Sequence, residues 1–236
     1  MRKMMVIWIL FNTVNYTTDR LTQEWLEYRL DIFEKYTLKS LKNQSNQDFR
    51  VYLCCEESTM PMIRAYLDKK PPLPNNIQFD TIAHNEMDIK KDIMQYDFLY
   101  HIRLDSDNLY HQDFIQKLYD YVPKEETQVI ISQNGYVYDT RDDSLAPYFQ
   151  KSPPFYAFIY KVQDYIDGFR YRTPLGHSRI INLWKYEFME GYNYIVSLHG
   201  KNVLNRRDKL NEKLLIEGDQ KEKVLGEFGI QDRLIY

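Results

Sequence analysis

The stretch DFLYHIRLDSDNLY, residues 97–110, decides how this chain is read. It opens as a β-prone, mostly apolar run and then sets Asp105 and Asp107 one residue apart. Two like charges so close repel each other unless a positive group, usually a metal ion, stands between or beside them. The triplet alone proves little. With Asp at roughly 5% of residues, a D-x-D turns up about once by chance in a chain of this length. Its neighbours must decide.

Those neighbours alternate strand and helix. Residues 4–10, MMVIWIL, form a continuous apolar run, as expected of a strand covered on both faces. Residues 22–44 place Leu26, Leu30 and Phe33 at helical spacing, with Leu41 a little over two turns on, which predicts an amphipathic helix or a pair of short ones. Residues 48–57, DFRVYLCCEE, read as a second strand, and 60–70 as a short helix stopped by PPLP. Residues 76–84 read as a third strand, 87–96 as a helix, 97–104 as the fourth strand and 111–122 as another helix. This rhythm predicts an α/β layer fold with a mostly parallel central sheet flanked by helices.

Beyond Pro123 the rhythm fades into a smaller mixed region. Residues 127–139 read as a hairpin turning at Asn134-Gly135. Residues 146–161, APYFQKSPPFYAFIYK, read as an aromatic, proline-interrupted loop or short element lining something. Their rings suit an acceptor sugar, a lipid headgroup surface or simply the lid of a core. The charged tail from Asn205 reads as mainly helical. The expected organisation is one domain over 1–204, with a donor half at about 1–122 and an acceptor half at 123–204, followed by a helical tail over 205–236.

Composition narrows the class. A chain of 236 residues with 44% hydrophobic and 28% charged residues can bury a sizeable core. A net charge of −3 gives no support for nucleic acid as a partner. Adjacent Cys54 and Cys55 are poorly placed to bond each other and read as reduced residues of a buried strand. Residues 1–16 carry basic and then apolar residues, yet no small-residue cleavage site follows, so they read as a strand rather than a leader. No stretch approaches the ~18 apolar residues of a membrane span. The expected location is cytoplasmic, with at most peripheral contact at the inner face of a membrane.

In open α/β sheets, ligands bind outside the carboxyl ends of the strands, and the DSD triplet lies at that end of the fourth. Two carboxylates there suit a hard divalent cation. The competing reading is a strand-end turn, with Asp105 capping the next helix and Asp107 solvated.

The W-x3-R-x3-F pattern of Trp25, Arg29 and Phe33, the LKSLKNQSNQDFRVYL segment at 38–53, RLDSDN at 103–108 and SLHGKN at 197–202 together resemble the rhamnosyltransferase group. These are GT-A-fold, family-two-like glycosyltransferases that use nucleotide sugars. The resemblance runs from about Trp8 to Asn202. It implies transfer of a sugar, rhamnose by the family's label, from a nucleotide diphosphate-sugar donor to a hydroxyl of a glycan or glycolipid, as in bacterial surface polysaccharide assembly. It also implies that Asp107 holds a Mn²⁺ or Mg²⁺ on the donor diphosphate, that Asp105 shares the metal or faces the ribose, and that His199 is a third metal ligand.

Arg103 suits either the donor phosphates or neutralisation of the aspartates. Glu56, with Glu57 beside it, and Asn12 end the second and first strands, where the nucleotide would lie. Arg29 reads as a structural ion-pair partner outside the site. No Glu-Asp pair marks the catalytic base, so His177 and, failing it, Asp139 are the candidates. A sugar-nucleotide pyrophosphorylase would need a Gly-rich loop after the first strand, and residues 9–19 contain no glycine. A non-catalytic nucleotide- or glycan-binding relative stays open.

Overall fold

The computed structural model describes residues 2–14, 17–174, 176–200 and 207–230. Its strands are β1 (Lys3–Leu10), β2 (Arg50–Cys55), β3 (Ile77–Thr81), β4 (Phe98–Arg103), β5 (Leu109–Tyr110), β6 (Val129–Ile131), β7 (Asn134–Asp139), β8 (Ser144–Phe149), β9 (Tyr156–Lys161), β10 (Tyr186–Phe188) and β11 (Tyr192–Leu198). Its α-helices are α1 (Gln23–Ile32), α2 (Leu38–Lys42), α3 (Met60–Leu67), α4 (Ile82–Asp92), α5 (Phe114–Asp120), α6 (Val162–Ile166), α7 (Ile180–Leu183) and α8 (Gly218–Glu227). Seven strands form one sheet in the order β10-β6-β9-β4-β1-β2-β3. All its pairings are parallel except those of β9, which runs against both β4 and β6. The mixed α/β fold with a mostly parallel sheet is as the sequence predicts.

Both faces of this sheet are covered, which explains the unbroken apolar run of β1. Met5, Ile7 and Ile9 point to one side with Val51, Leu53, Tyr100 and Ile102, and pack against Leu26, Leu30, Ile63 and Phe114 of the helices. Met4, Val6, Tyr52 and Leu99 point to the other, against Ile89 of α4 and Ile180 of α7. Cys54 and Cys55 are free thiols buried at the end of β2. The buried Lys3 ammonium donates to the carbonyls of Leu118, Tyr119 and Tyr121 at 2.6–2.9 Å, so a cation caps the carboxyl end of α5.

A second sheet, in the order β5-β11-β7-β8, builds the mixed half. Tail residues Val224, Leu225 and Phe228 are buried against its Tyr138, Leu145 and Ile195. The described tail is only partly helical: Ile216 bridges to Leu145 of β8 before α8 begins. The boundary expected at residue 204 lies outside the described residues. Among them, no helix is long and apolar enough to cross a membrane.

Three sequence expectations are corrected. The third strand stops at Thr81, not His84, because the Thr81 hydroxyl accepts from the His84 backbone N–H and starts α4 there. Residues 146–161 are not a loop: β8 and β9 occupy them, and β9 is a buried interior strand of the large sheet. Asn134-Gly135 is no hairpin turn either, since β6 and β7 belong to different sheets. The real hairpin joins β7 to β8, and its turn contains Asp143 at φ 60°.

Gly135 is required for a different reason. A Cβ there would stand 2.5 Å from the ring and the carbonyl oxygen of Tyr194, whose own ring stacks on Phe155 at 3.7 Å. The backbones of β7 and β11 approach too closely for any side chain. Gly135→Ala should therefore cost about 1–3 kcal/mol, at the upper end because a carbonyl cannot rotate away. Urea unfolding of the variant beside the native protein measures this, and an unchanged midpoint would contradict the packing described.

Candidate functional site

The carboxyl ends of β1 and β4 open into a cavity of about 620 Å³. Asp105, Ser106 and Asp107 lie on its wall, in the turn that joins β4 to β5. Buried polar contacts fix that turn. The Ser197 hydroxyl of β11 donates to the Asp107 carbonyl at 2.5 Å, and the Ser197 N–H donates to Asn108 Oδ1 at 3.1 Å. The Thr37 hydroxyl donates to the Asn108 carbonyl at 2.9 Å.

The two aspartates do not point the same way. Asp105 is partly exposed and accepts from Arg103 Nη2 at 3.1 Å. Asp107 is buried, and its Oδ2 meets Arg29 Nη1 at 3.0 Å and His199 Nε2 at 3.3 Å. Burial pushes the Asp107 carboxyl up, but the Arg29 guanidinium, aided by His199, outweighs it and holds the group down at about 2. Each aspartate thus has a protein counter-charge. The repulsion that suggested a metal from sequence is already relieved by Arg103 and by Arg29, the residue read as lying outside the site.

Arg29 reaches the site because of how its helix runs. Between α1 and α2 the chain takes a π-helical stretch over Phe33–Thr37, a local widening often found at functional sites. It follows directly on the helix that carries Tyr28 and Arg29, and Thr37 at its end holds the aspartate turn. Arg29 Nη2 also donates to Ser106 Oγ at 2.6 Å, and the Tyr28 hydroxyl meets His199 Nδ1 at 2.9 Å.

Asp107 and His199 offer an oxygen and a nitrogen at a spacing compatible with two neighbouring ligands of one divalent cation. Nε2 faces the Asp107 carboxylate as a donor while Nδ1 accepts from the Tyr28 hydroxyl, so a cation held by both residues would take the place of the Nε2 proton. Asp105 turns toward Arg103 instead. Among the described residues no three His, Cys, Asp or Glu groups come together as a metal cluster. The expected trio is therefore a pair, and other oxygens would have to complete the coordination.

His177 lines the same cavity. Its Nδ1 meets the Ser152 carbonyl at 2.8 Å, and the Ser152 hydroxyl donates to the His177 carbonyl at 2.7 Å. A carbonyl only accepts, so Nδ1 carries the proton and Nε2 the lone pair. Burial pushes its pKa down, which keeps the ring neutral near pH 7.

Asp139 is placed elsewhere. It is fully buried at the end of β7, outside the residues lining the cavity, with its carboxylate held by Arg141 at 2.6 and 2.8 Å. Asn12 lines the cavity, but its amide is committed: Oδ1 accepts from the Glu56 N–H at 2.9 Å, and Nδ2 donates to Thr59 Oγ1 at 3.0 Å. Glu56 itself pairs with Arg20 at 3.4 Å.

Sequence reading missed several lining residues. Tyr156, Phe158 and Tyr160 stand on one face of β9 beside Trp8 and His101. Their alternation at period two was the available signal, obscured by the two prolines before it. Burial pushes His101 down to about 4, so it too is neutral near pH 7. Four arginines, Arg20, Arg29, Arg103 and Arg170, face three carboxylates, Glu86, Asp105 and Asp107, a balance that suits an anionic ligand.

A mostly parallel sheet with such a cavity across its carboxyl ends is the layout of a ligand-binding α/β protein. A family model described as "Putative rhamnosyl transferase" matches residues 15–209, and the chain belongs to that family of glycosyltransferases. No curated protein matches the sequence. Similar solved structures include S. aureus TarS 1–349 in complex with UDP, at 15% identity over 84% of this chain and 61% of that one, TM-score 0.43. The same protein in complex with UDP-GlcNAc matches at 14% identity over 86% and 60%, TM-score 0.45. A 4-diphosphocytidyl-2C-methyl-D-erythritolsynthase from Anaerococcus prevotii matches at 11% identity over 80% and 87%, TM-score 0.36. The chain spans less than two thirds of the length of the TarS 1–349 structures.

Removing Arg29 would leave Asp107 as a buried carboxylate with only a histidine beside it. Arg29→Met should cost about 3–5 kcal/mol in urea unfolding at pH 7. Adding Asp107→Asn should restore much of that loss, because the two residues act as one unit. Additive losses in the double variant would contradict the pairing.

Proposed function

We propose that this protein transfers a glycosyl group, rhamnosyl by the family's label, from a nucleotide diphosphate-sugar to a hydroxyl of a glycan or glycolipid. The observation that carries this reading is the convergence of Asp105 and Asp107 with Arg29, Arg103 and His177 on one cavity at the strand ends. In this reading the donor binds the half formed by residues 1–122 and the acceptor approaches from 123–204.

The chemistry asks for three things, and residues in place suit each. The donor diphosphate needs positive charge, which Arg29 and Arg103 supply at the cavity wall. A Mn²⁺ or Mg²⁺ held by Asp107 and His199 would further offset the charge that builds on the leaving diphosphate. The acceptor hydroxyl needs a base, and His177 presents a neutral imidazole whose Nε2 lone pair is free because Ser152 fixes the proton on Nδ1. As the acceptor oxygen bonds to the anomeric carbon, the bond from that carbon to the diphosphate oxygen breaks. The electron pair leaves with the diphosphate, and the hydroxyl proton passes to Nε2. The aromatic face of β9 suits a sugar ring, which stacks its C–H face on such side chains.

Release of nucleoside diphosphate from UDP-, dTDP- and GDP-sugars, with Mn²⁺ and a glycan acceptor, tests the reading. One donor should be consumed. His177→Ala should lower kcat by about 10²–10⁴-fold with KM little changed, as for loss of a general base. Asp107→Asn should raise KM and lower kcat together. Tight donor binding with no turnover on any acceptor would instead favour the non-catalytic reading.

A further inference from the structure

The second sheet turns one face to the main core and the other to the tail. Val137, Tyr194 and Val196 pack inward, while Tyr138, Leu145 and Ile195 face outward against the tail. The tail covers only part of that outer face. At the end remote from the aspartate turn, Phe149 of β8 stays 62% exposed and Tyr192 of β11 45% exposed.

Register joins these two rings in one row. Asn134 of β7 pairs with Phe149 on one side and with Tyr192 on the other. Phe149 lies four residues after Leu145 in an unbroken strand, so it shares the outer face. Asn134 lies two residues before Tyr136, whose ring stacks on Tyr192 at 4.8 Å and so holds that side chain in place. The row therefore reads ring, amide, ring. At ~4.8 Å per strand, the rings stand about 10 Å apart. The Asn134 side-chain amide meets no hydrogen-bond partner among the described residues.

Exposed rings scattered singly need no explanation, but two aligned in register around an unpaired amide do. A second copy of the chain would need about 800 Å² on each partner for a stable interface. The exposed parts of two aromatic side chains offer only about 200 Å². A glycan chain asks for less. A sugar lays its C–H face on an aromatic ring, and the spacing of the two rings matches alternate sugars along a glycan. The amide between them, with two donors and an acceptor, suits the hydroxyls of the sugar in the middle.

The row also leads to the cavity. Three residues after Phe149 comes Ser152, which holds His177, so at most about 10 Å of chain separates them. Gln133, next to Asn134, fixes that connection: its carbonyl accepts from the Gln150 N–H at 3.1 Å, and its Nε2 donates to the Lys151 carbonyl at 2.9 Å.

We propose that Phe149, Asn134 and Tyr192 form a glycan-binding platform outside the cavity, which holds an acceptor chain behind the sugar that enters the site. The proposal rests on the glycosyl-transfer reading above and narrows its acceptor to a chain of several sugars.

Affinity electrophoresis through gels containing a rhamnan, a mannan, a galactan or a dextran tests it, beside size-exclusion chromatography with light scattering. At least one polymer should retard the native protein. Phe149→Ala and Tyr192→Ala should each weaken that retention by about tenfold, as for loss of an aromatic anchor. Tyr192→Phe keeps the ring and should bind as the native protein does. Thermal unfolding checks that each variant folds. Nucleoside diphosphate release with a monosaccharide acceptor should be unchanged in Phe149→Ala, whereas KM for the polymer should rise about tenfold. No retention of the native protein on any polymer would overturn the proposal, as would equal retention of the native and alanine forms. A native dimer that Phe149→Ala turns into a monomer would make the row a contact between copies and would also overturn it. Ring-dependent retention with no turnover of any donor would uphold the platform and overturn the transferase reading. Donor turnover without ring-dependent retention would do the reverse.

Discussion

The candidate site is built around one buried ion pair, Arg29 with Asp107. A buried carboxylate on the wall of a cavity is costly to desolvate, and burial alone would push its proton affinity up. The guanidinium 3.0 Å away reverses the sign and keeps the group ionised. That arrangement has two consequences. It holds a negative charge ready at the strand end, and it brings a cation to the point where an anionic ligand would lie. Buried pairs of this kind contribute little net stability, because desolvation offsets attraction. Their retention here fits a site whose charges are there to meet a ligand.

Three separate parts of the chain must agree for the pair to form. Helix α1 brings Tyr28 and Arg29, and the π-helical stretch after it lets Thr37 hold the aspartate turn. Strand β4 ends at the turn itself. Strand β11 of the second sheet supplies Ser197, and His199 follows just beyond its end, about ninety residues further along the chain than the turn. The second sheet therefore does more than extend the fold: its last strand closes the site from behind, and Gly135 permits the close approach of β7 to β11 that places it. The buried strand β9 adds the aromatic wall.

Much of this was legible in the sequence. The apolar run of residues 4–10 and the alternation of strands with helices led directly to the mostly parallel sheet, because strands covered on both faces leave that signature. The aspartates at the end of the fourth strand and His199 were also readable, through position and family resemblance. What escaped depended on long-range contacts. Arg29 looked like an ordinary helix arginine, because nothing local says that its helix faces the aspartate turn. Asn134-Gly135 carried the chemistry of a turn, yet the glycine answers to the ring and backbone of Tyr194. Asp139 looked available as a base until Arg141 was seen to hold it.

The central claim is that this cluster binds a nucleoside diphosphate with a divalent cation. Thermal unfolding against UDP, dTDP, GDP and CMP, each with and without Mn²⁺, on the native protein and on Asp107→Ala, tests it most directly. A ligand that binds only the folded state stabilises it by about 2.7 kcal/mol at a hundredfold excess over its dissociation constant. The account predicts a manganese-dependent rise in Tm with at least one diphosphate, absent in Asp107→Ala. No shift of the folded native protein with any diphosphate would contradict it, and would reduce the aspartates to a structural turn anchored by Arg29.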